Sequence, residues 1–540
     1  MTTQLRIPIL DLCIIVAYIL AILCVGVIAS RKTKVTGQVF FLAGRSLPWG
    51  VVGASLFASN ISTIHLVGLT ASGYNEGLVW GNFEWMAAFT LMLLAIVFAP
   101  FYFRSRISTL PEFLERRYSP ASRSILAFMA ILAALFIHIG MSLYAGAAVF
   151  QQFFGINVIA SILIVAGAVS VYTVLGGLRA VVWTESVNTV VLLAGACCIT
   201  VFALAALPAH GIHTLLQFRA AVKPNQLSML QMHSSAGLNW YAVFLGYPVL
   251  GIWYWCTDQT IVQRVLGART ENDAQLGPLF AGFLKFLPVF LLVLPGVIGY
   301  VLFRDLIGTQ SNQTLPVLIS QLIPTGLKGL ISAAVLAALM SAVSAALNSS
   351  GTLVAVDIVK RLRPQISDAQ LVTVGRISSV IILLLAILWS TQGGRFTSIF
   401  AAINVIASDL APPITTVFLF GVFWRRGTKE ASVVTLIVGF LMGAASFILD
   451  LPVFGSTKLL TDGLGISFLM QAWWMFCICS VLYIVVSLAT PPPAPANIDG
   501  LTWSNPMAVI FGKPLRSARD PRVFAGLLLL TMVVLYTLFR

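Results

Sequence analysis

The sequence predicts an all-α polytopic membrane protein, on three observations. Hydrophobic residues make up 59% of the 540-residue chain and charged residues 9%, with a mean hydropathy of +0.96. Soluble domains carry nearer a quarter charged residues. Long apolar runs recur along the chain, each near the roughly 20 residues that a membrane-crossing helix needs. Finally, Lys and Arg fall mostly on one side of the layout those runs imply.

About fourteen spans are expected: 9–29, 48–70, 78–103, 124–152, 156–175, 184–208, 239–263, 277–303, 327–357, 372–394, 397–423, 431–450, 465–490 and 523–539. The runs 48–70, 239–263 and 397–423 are the least uniform as plain spans. Arg31, Lys32 and Lys34 follow the first run, which makes it a retained helix with its N-terminus outside rather than a cleaved signal. Loops near 30–47, 104–123, 176–183, 264–276, 358–371, 424–430 and 491–522 are then cytoplasmic. Of the 32 Lys and Arg, 23 lie in or beside those loops, 8 lie outside, and Lys285 lies within a span. The net charge of +14 is thus a topological signal rather than a sign of nucleic acid. Both termini are expected outside a plasma (bacterial inner) membrane.

Outer loops 209–238 and 304–326 read as partly helical caps, and 491–522, opening with "PPPAP", as a cytoplasmic linker. Cys13, Cys24, Cys197, Cys198, Cys256, Cys477 and Cys479 sit in apolar runs without metal-ligand spacing, and read as small core residues. No nucleotide-binding glycine motif follows a strand-like segment, which argues against an ATP-driven pump.

Ionisable residues at membrane depth are costly and so draw attention first. They are Glu84, Glu185, Asp258, Lys285 and Asp409, with His65. Pairing within the bundle would explain any one of them; their spread over separate helices favours a polar cavity. In "MSAVSAALNSSGT" (340–352), Ser341, Ser344 and Asn348 recur on one helix face. Close helix packing explains such a face, and so does a dehydrated Na⁺ held by hydroxyls and freed carbonyls. "SLFASNISTIHLVG" (55–68) alternates polar and apolar residues inside a span, and unwinding near Ala58 to Ser62 would free such carbonyls.

The motifs "FFLAGRSLPW", "SLFASNISTIHLVG", "FEW", "WYWCTDQTIVQRVL", "FLKFLPVF" and "PPITTVFLFGVFWRR" resemble the sodium/solute symporter family, most of all its sodium/glucose cotransporters. The resemblance runs from about residue 9 to 450. It implies a single transporter domain with a leucine-transporter-like five-plus-five inverted repeat. The first repeat would be 48–208 and the second 239–423, with 9–29 an extra N-terminal helix and 431–540 additional C-terminal helices.

Carried over by position, the family's Na⁺ site would use backbone oxygens of Ala58, Ile61 and Ala338 and the hydroxyl of Ser341. Ala342 stands where the family has a second hydroxyl, and Ser344 nearby would compensate. A second Na⁺ or a proton would involve Glu185, near Ser341 and Ser344, although Ala345 replaces an expected serine. The structural alternative for Glu185 is a partner such as Arg179 or helix-end amides. Asp409 would join ion coupling or, the favoured reading, cap a helix broken at Pro412-Pro413.

The solute pocket implied by the resemblance comprises Asn60, His65, Phe83, Glu84, Tyr254, Trp255, Lys285 and Asn404. Tyr254 would be the inner gate. Asn404 replaces a glutamine and is one methylene shorter, which points to a different hexose or a sugar derivative. The function implied is Na⁺-coupled uptake of a glucose- or galactose-like hexose, not an enzymatic reaction. Alternatives are Na⁺- or H⁺-coupled transport of a carboxylate, amino acid or vitamin, an uncoupled sugar sensor, or a membrane enzyme. The scattered placement of the ionisable residues weighs against the enzyme.

Overall fold

The computed structural model describes residues 8–31, 36–234, 237–391, 399–450, 459–503, 517 and 520–540. Among these there is no strand, only helices and two isolated bridges, Leu47 with Ala268 and Gln231 with Asn239. Among the described residues eleven helices are long and apolar enough to cross a membrane, and a bent pair can supply a twelfth crossing.

In chain order the principal helices are α1 (Ile9–Arg31), the bent pair α2 (Trp49–Asn60) and α3 (Thr63–Asn75), α4 (Leu78–Arg104), α5 (Pro120–Gln151) and α6 (Val158–Ala206). A second broken pair follows, α7 (Trp240–Gly251) and α8 (Gln259–Leu266), then α9 (Glu271–Ile307), α10 (Leu327–Leu362), α11 (Asp368–Ser390) and α12 (Ile399–Phe423). α13 (Lys429–Leu449), α14 (Phe468–Ala489) and α15 (Pro521–Leu538) complete the set.

Helix starts follow local chemistry. Ser119, Thr270, Ser367, Thr428 and Asp520 each accept an amide of the first turn of α5, α9, α11, α13 and α15, and Pro120 and Pro521 occupy first-turn positions where no N–H is needed. The outer loops contain short helices at Leu215–Ala221 and Thr314–Leu322.

Burial sorts the helices into interior and periphery. The most apolar stretch of α10 is 94% buried, against 22% for α1 and 28% for α14 and α15. α10 is therefore the inner post of the bundle, and its run of Ala, Ser and Gly lets neighbours approach closely. α3 and α9 meet the same way: a methyl group on Gly73 would fall 2.1 Å from the Val293 carbonyl, and one on Gly296 would fall 2.0 Å from that of Thr70.

Three expectations change. The runs 156–175 and 184–208 are not separated by a loop over 176–183: two helical segments of α6 meet at one non-helical residue, Gly177 (φ 60°, ψ −159°). Only glycine suits that backbone, and a methyl group there would also strike the Phe40 carbonyl at 2.5 Å. Pro412 and Pro413 do not break α12, which runs on to Phe423, so Asp409 is not a cap. The cysteines are not uniformly core: Cys256 and Cys479 are buried, while Cys13, Cys24 and Cys197 are exposed on apolar helices. Much of the 491–522 linker lies outside the described residues; its described part includes a short turn at Pro495–Asn497.

Candidate solute and sodium site

Two helix breaks create the site. α2 stops at Asn60, α3 begins at Thr63, and the pair bends by 63°. The amides that would close the helix on Ala58 and Ile61 turn elsewhere. The Ser62 N–H donates to His65 Nδ1 at 3.3 Å, and the His65 N–H donates to the Ser62 carbonyl at 2.9 Å. His65 thus holds the break open from its own side. The second break lies at Asp258, whose extended backbone (φ −83°, ψ 127°) separates α8 from a π-helical turn over Ile252–Thr257. π turns concentrate at functional sites. This one presents Trp253, Tyr254 and Trp255 to a central cavity, while a second, Ala134–Met141, presents Ile137 and His138.

The cavity holds about 140 Å³. At ~30 Å³ per water that is roughly five waters, room for a small polar solute. Asn60, His65, Phe83, Glu84, Tyr254, Trp255 and Asn404 all line it. Lys285 stands behind that wall, 1% exposed, and donates to Glu84 Oε2 at 2.5 Å and to Asn60 Oδ1. Its ammonium also lies 5.3 Å from the centre of the Trp255 ring. His65 Nε2 is 3.9 Å from Glu84 Oε1. The sequence-selected polar residues therefore converge on one linked group: Lys285 neutralises Glu84 and orients Asn60, leaving both beside the cavity.

Aromatic rings line the same cavity. Phe83 lies between Trp80 (5.7 Å, 19° between planes) and Phe468 (6.2 Å, 21°), with Tyr247 at its edge. The Tyr247 hydroxyl donates to the Phe83 carbonyl at 2.8 Å. Tyr254 packs edge-on to Trp255 at 5.1 Å.

The hydroxyl face of α10 adjoins the first break. Thr63 Oγ1 donates to the Val335 carbonyl at 3.1 Å, clamping the start of α3 to α10. Ser341 Oγ accepts from Asn188 Nδ2 at 2.7 Å, and Tyr18 donates to Asn188 Oδ1 at 2.9 Å. Ser344 Oγ donates to the Ser341 carbonyl at 3.0 Å. Ala342 lines the cavity itself.

Glu185 differs from expectation. Its partner is Arg264, at 2.7 Å with both side chains wholly buried, rather than Arg179, and Ser55 also donates to it. The pair joins α6 to α8, and Ser55 adds α2. The Asp409 carboxylate meets Gln471 Nε2 at 2.7 Å.

Several lining residues escape sequence reasoning: His138, Ser142, Tyr247 and Thr260. His138 was legible, since an imidazole in the middle of the 124–152 run is as costly as the residues singled out. Arg264 was obscured by its position at the edge of a basic loop.

The chain matches the description "Sodium:solute symporter family" over residues 40–439. It belongs to that family. The symporter is 34% identical over 536 residues to the sodium/mannose cotransporter SLC5A10 of Bos taurus, covering 92% of this chain and 89% of that protein. It is 32% identical over 534 residues to sodium/myo-inositol cotransporter 2 of Oryctolagus cuniculus, covering 91% and 78%. Sodium/glucose cotransporter 1 of the same species is 31% identical over 558 residues, covering 95% and 82%. Among solved structures, a substrate-bound, outward-open Na⁺-coupled sialic acid symporter superposes with a TM-score of 0.77 at 21% identity, covering 90% of this chain and 99% of that one. A nucleobase-cation-symport-1 family transporter bound to bromovinylhydantoin gives 0.53 at 16%, covering 86% and 98%. These two likenesses concern the fold. The protein is a multi-pass, sodium-coupled transporter and not an enzyme, with Na⁺ as its coupling ion.

Proposed function

We propose that this symporter couples Na⁺ entry to uptake of a sugar, a glucose- or galactose-like hexose, by alternating access. The observation that carries this is the buried Lys285–Glu84–Asn60 group, whose Glu84 and Asn60 line the same cavity as the rings of Phe83 and Tyr247. A carboxylate accepts from sugar hydroxyls, an amide bridges them, and a ring covers the apolar face of a pyranose. The mannose, myo-inositol and glucose cotransporters it resembles are named for polyhydroxylated solutes, which supports the same solute class.

On this reading Na⁺ sits between the first helix break and α10, bound by the carbonyls of Ala58, Ile61 and Ala338 and the Ser341 hydroxyl, with Ser344 in support. Binding there joins the broken helix to the inner post and favours the outward-open state, which completes the solute site. Tyr254 is the inner gate. A membrane potential near 100 mV contributes about 2.3 kcal/mol per entering charge. The topology that goes with this is fourteen spans, with inverted repeats at 48–208 and 239–423 and both termini outside a plasma membrane. The kink in α6 and the second broken pair, each a crossing beyond the twelve above, support that count.

Asn404 gives a specific reason to consider a second solute, since a shorter amide leaves room for a hexose derivative or a cyclitol. The test is equilibrium binding of labelled glucose, galactose, mannose and myo-inositol to purified protein in Na⁺ or choline. Saturable, Na⁺-dependent binding of one of the hexoses supports the proposal; binding of myo-inositol alone favours the second solute; binding of none refutes both.

A further inference from the structure

Away from the cavity, three helices bring together a second polar cluster. Asp409 lies on α12, Ser446 on α13 and Gln471 on α14; they are 5%, 8% and 7% exposed. Gln471 Nε2 donates to Asp409 Oδ1 at 2.7 Å and also contacts Ser446 Oγ. Those contacts use the donors of the amide. Asp409 Oδ2 and Gln471 Oε1 meet no donor from the described chain. Turning the amide over does not help, because it would set Oε1 against the carboxylate and orphan the nitrogen instead.

The orphaned oxygens belong to one contacting pair, each a carboxyl or amide width from the 2.7 Å bond. Pro412 and Pro413 lack N–H groups, so the carbonyls of Ser408 and Asp409 lose their usual helix donors on the same turn. Gly443 lets α13 close onto that turn: a methyl group there would fall 2.2 Å from the Asp409 carbonyl. One turn beyond Ser446, Asp450 adds a second carboxylate, tied to the Leu460 and Thr461 amides at 2.8 and 3.3 Å. Among the described residues no Lys, Arg or His forms an ion pair with Asp409. A buried carboxylate with one oxygen lacking a donor and no cation beside it is costly until something positive joins it, and hard cations favour clustered oxygens of this kind.

We infer that Asp409, Gln471 and Ser446 form a Na⁺ site at the junction of α12, α13 and α14, separate from the solute cavity. The same helix carries Asn404 and Ala407 into the cavity wall. An ion at Asp409 therefore braces that wall from behind, and Na⁺ binding at the junction favours solute binding. The inference does not depend on the solute being a sugar.

The test is equilibrium binding of ²²Na⁺ to the purified full-length protein, for wild type, Asp409→Asn, Gln471→Leu and Ser341→Ala. The expected result is that Asp409→Asn and Gln471→Leu each hold one Na⁺ fewer than wild type, and Ser341→Ala independently loses another. Gln471→Leu leaves the carboxylate in place, so it decides the matter where Asp409→Asn does not fold. Folded junction variants that hold as much Na⁺ as wild type overturn the inference. So does an unchanged Na⁺ count with a shifted pH dependence of uptake, which would make Asp409 a proton carrier. Loss in the Ser341→Ala arm reports on the sodium site at the helix break, so failure there is distinguishable from failure at the junction.

Discussion

His138 Nε2 lies 2.9 Å from Asp258 Oδ2, and this contact ties α5 to the second helix break. The other oxygen of Asp258 accepts the Thr260 amide at 2.6 Å and so starts α8. The His138 ring also stacks on Trp253, with centres 6.4 Å apart and planes 16° apart. One imidazole thus fixes the break, the π turn before it and the cavity wall beside Tyr254.

Replacing His138 with Phe keeps the stacking surface and removes the bond to Asp258. A hydrogen bond to a charged group is worth about 1.5–3 kcal/mol, so solute binding should weaken by roughly ten- to a hundredfold while the protein still folds. Equilibrium solute binding at saturating Na⁺ checks this. Unchanged affinity would reduce the contact to packing.

Glu84→Gln strands the Lys285 ammonium in a buried setting. Breaking such a pair costs about 3–5 kcal/mol, whereas replacing both members with neutral groups costs far less. We expect Glu84→Gln to lower the melting temperature in detergent, and Glu84→Gln with Lys285→Met to recover most of it. Neither variant should bind solute. Recovery of binding in the double variant would show that the pair serves folding alone.

The fold class was legible because membrane helices announce themselves by length and composition, and the break in 55–68 by its polar residues. The ionisable cavity residues His65 and Glu84 were legible from their cost at membrane depth, but that Asn60, Phe83, Tyr254, Trp255 and Asn404 share a pocket with them was legible only through resemblance. Hydropathy says nothing of which helices meet, and Lys285 and Glu84 stand 201 positions apart. The misreadings have physical causes. The two segments of α6 meet without a loop because Gly177 alone absorbs the turn between them, and α12 carries Pro412 and Pro413 because neighbouring helices support it. Arg264 looked like a loop cation because burial of a charge against a partner on a distant helix leaves no local pattern.

Ala342 lines the cavity next to Ser341, so a serine there adds a hydroxyl beside the proposed sodium site with little crowding. Ala342→Ser should lower the Na⁺ concentration for half-maximal solute binding severalfold, and Ser341→Ala should raise it by about tenfold, the loss of roughly one hydrogen-bond-scale interaction. Na⁺ titrations of solute binding measure both. Opposite or absent shifts would move the ion elsewhere.

Glu185→Gln leaves Arg264 buried without its counter-charge, again at a cost of about 3–5 kcal/mol. We expect a large fall in thermal stability, rescue by adding Arg264→Met, and no change in the number of Na⁺ bound by the rescued protein. A lost Na⁺ in the rescued variant would show that Glu185 also serves an ion.

The most direct measurement is uptake of labelled glucose and galactose into proteoliposomes with an inward Na⁺ gradient, an inward H⁺ gradient or neither. Na⁺-coupled sugar transport predicts accumulation above the outside concentration with the Na⁺ gradient alone, abolished by Glu84→Gln. Accumulation driven by H⁺ alone, or no uptake of either sugar, would contradict it.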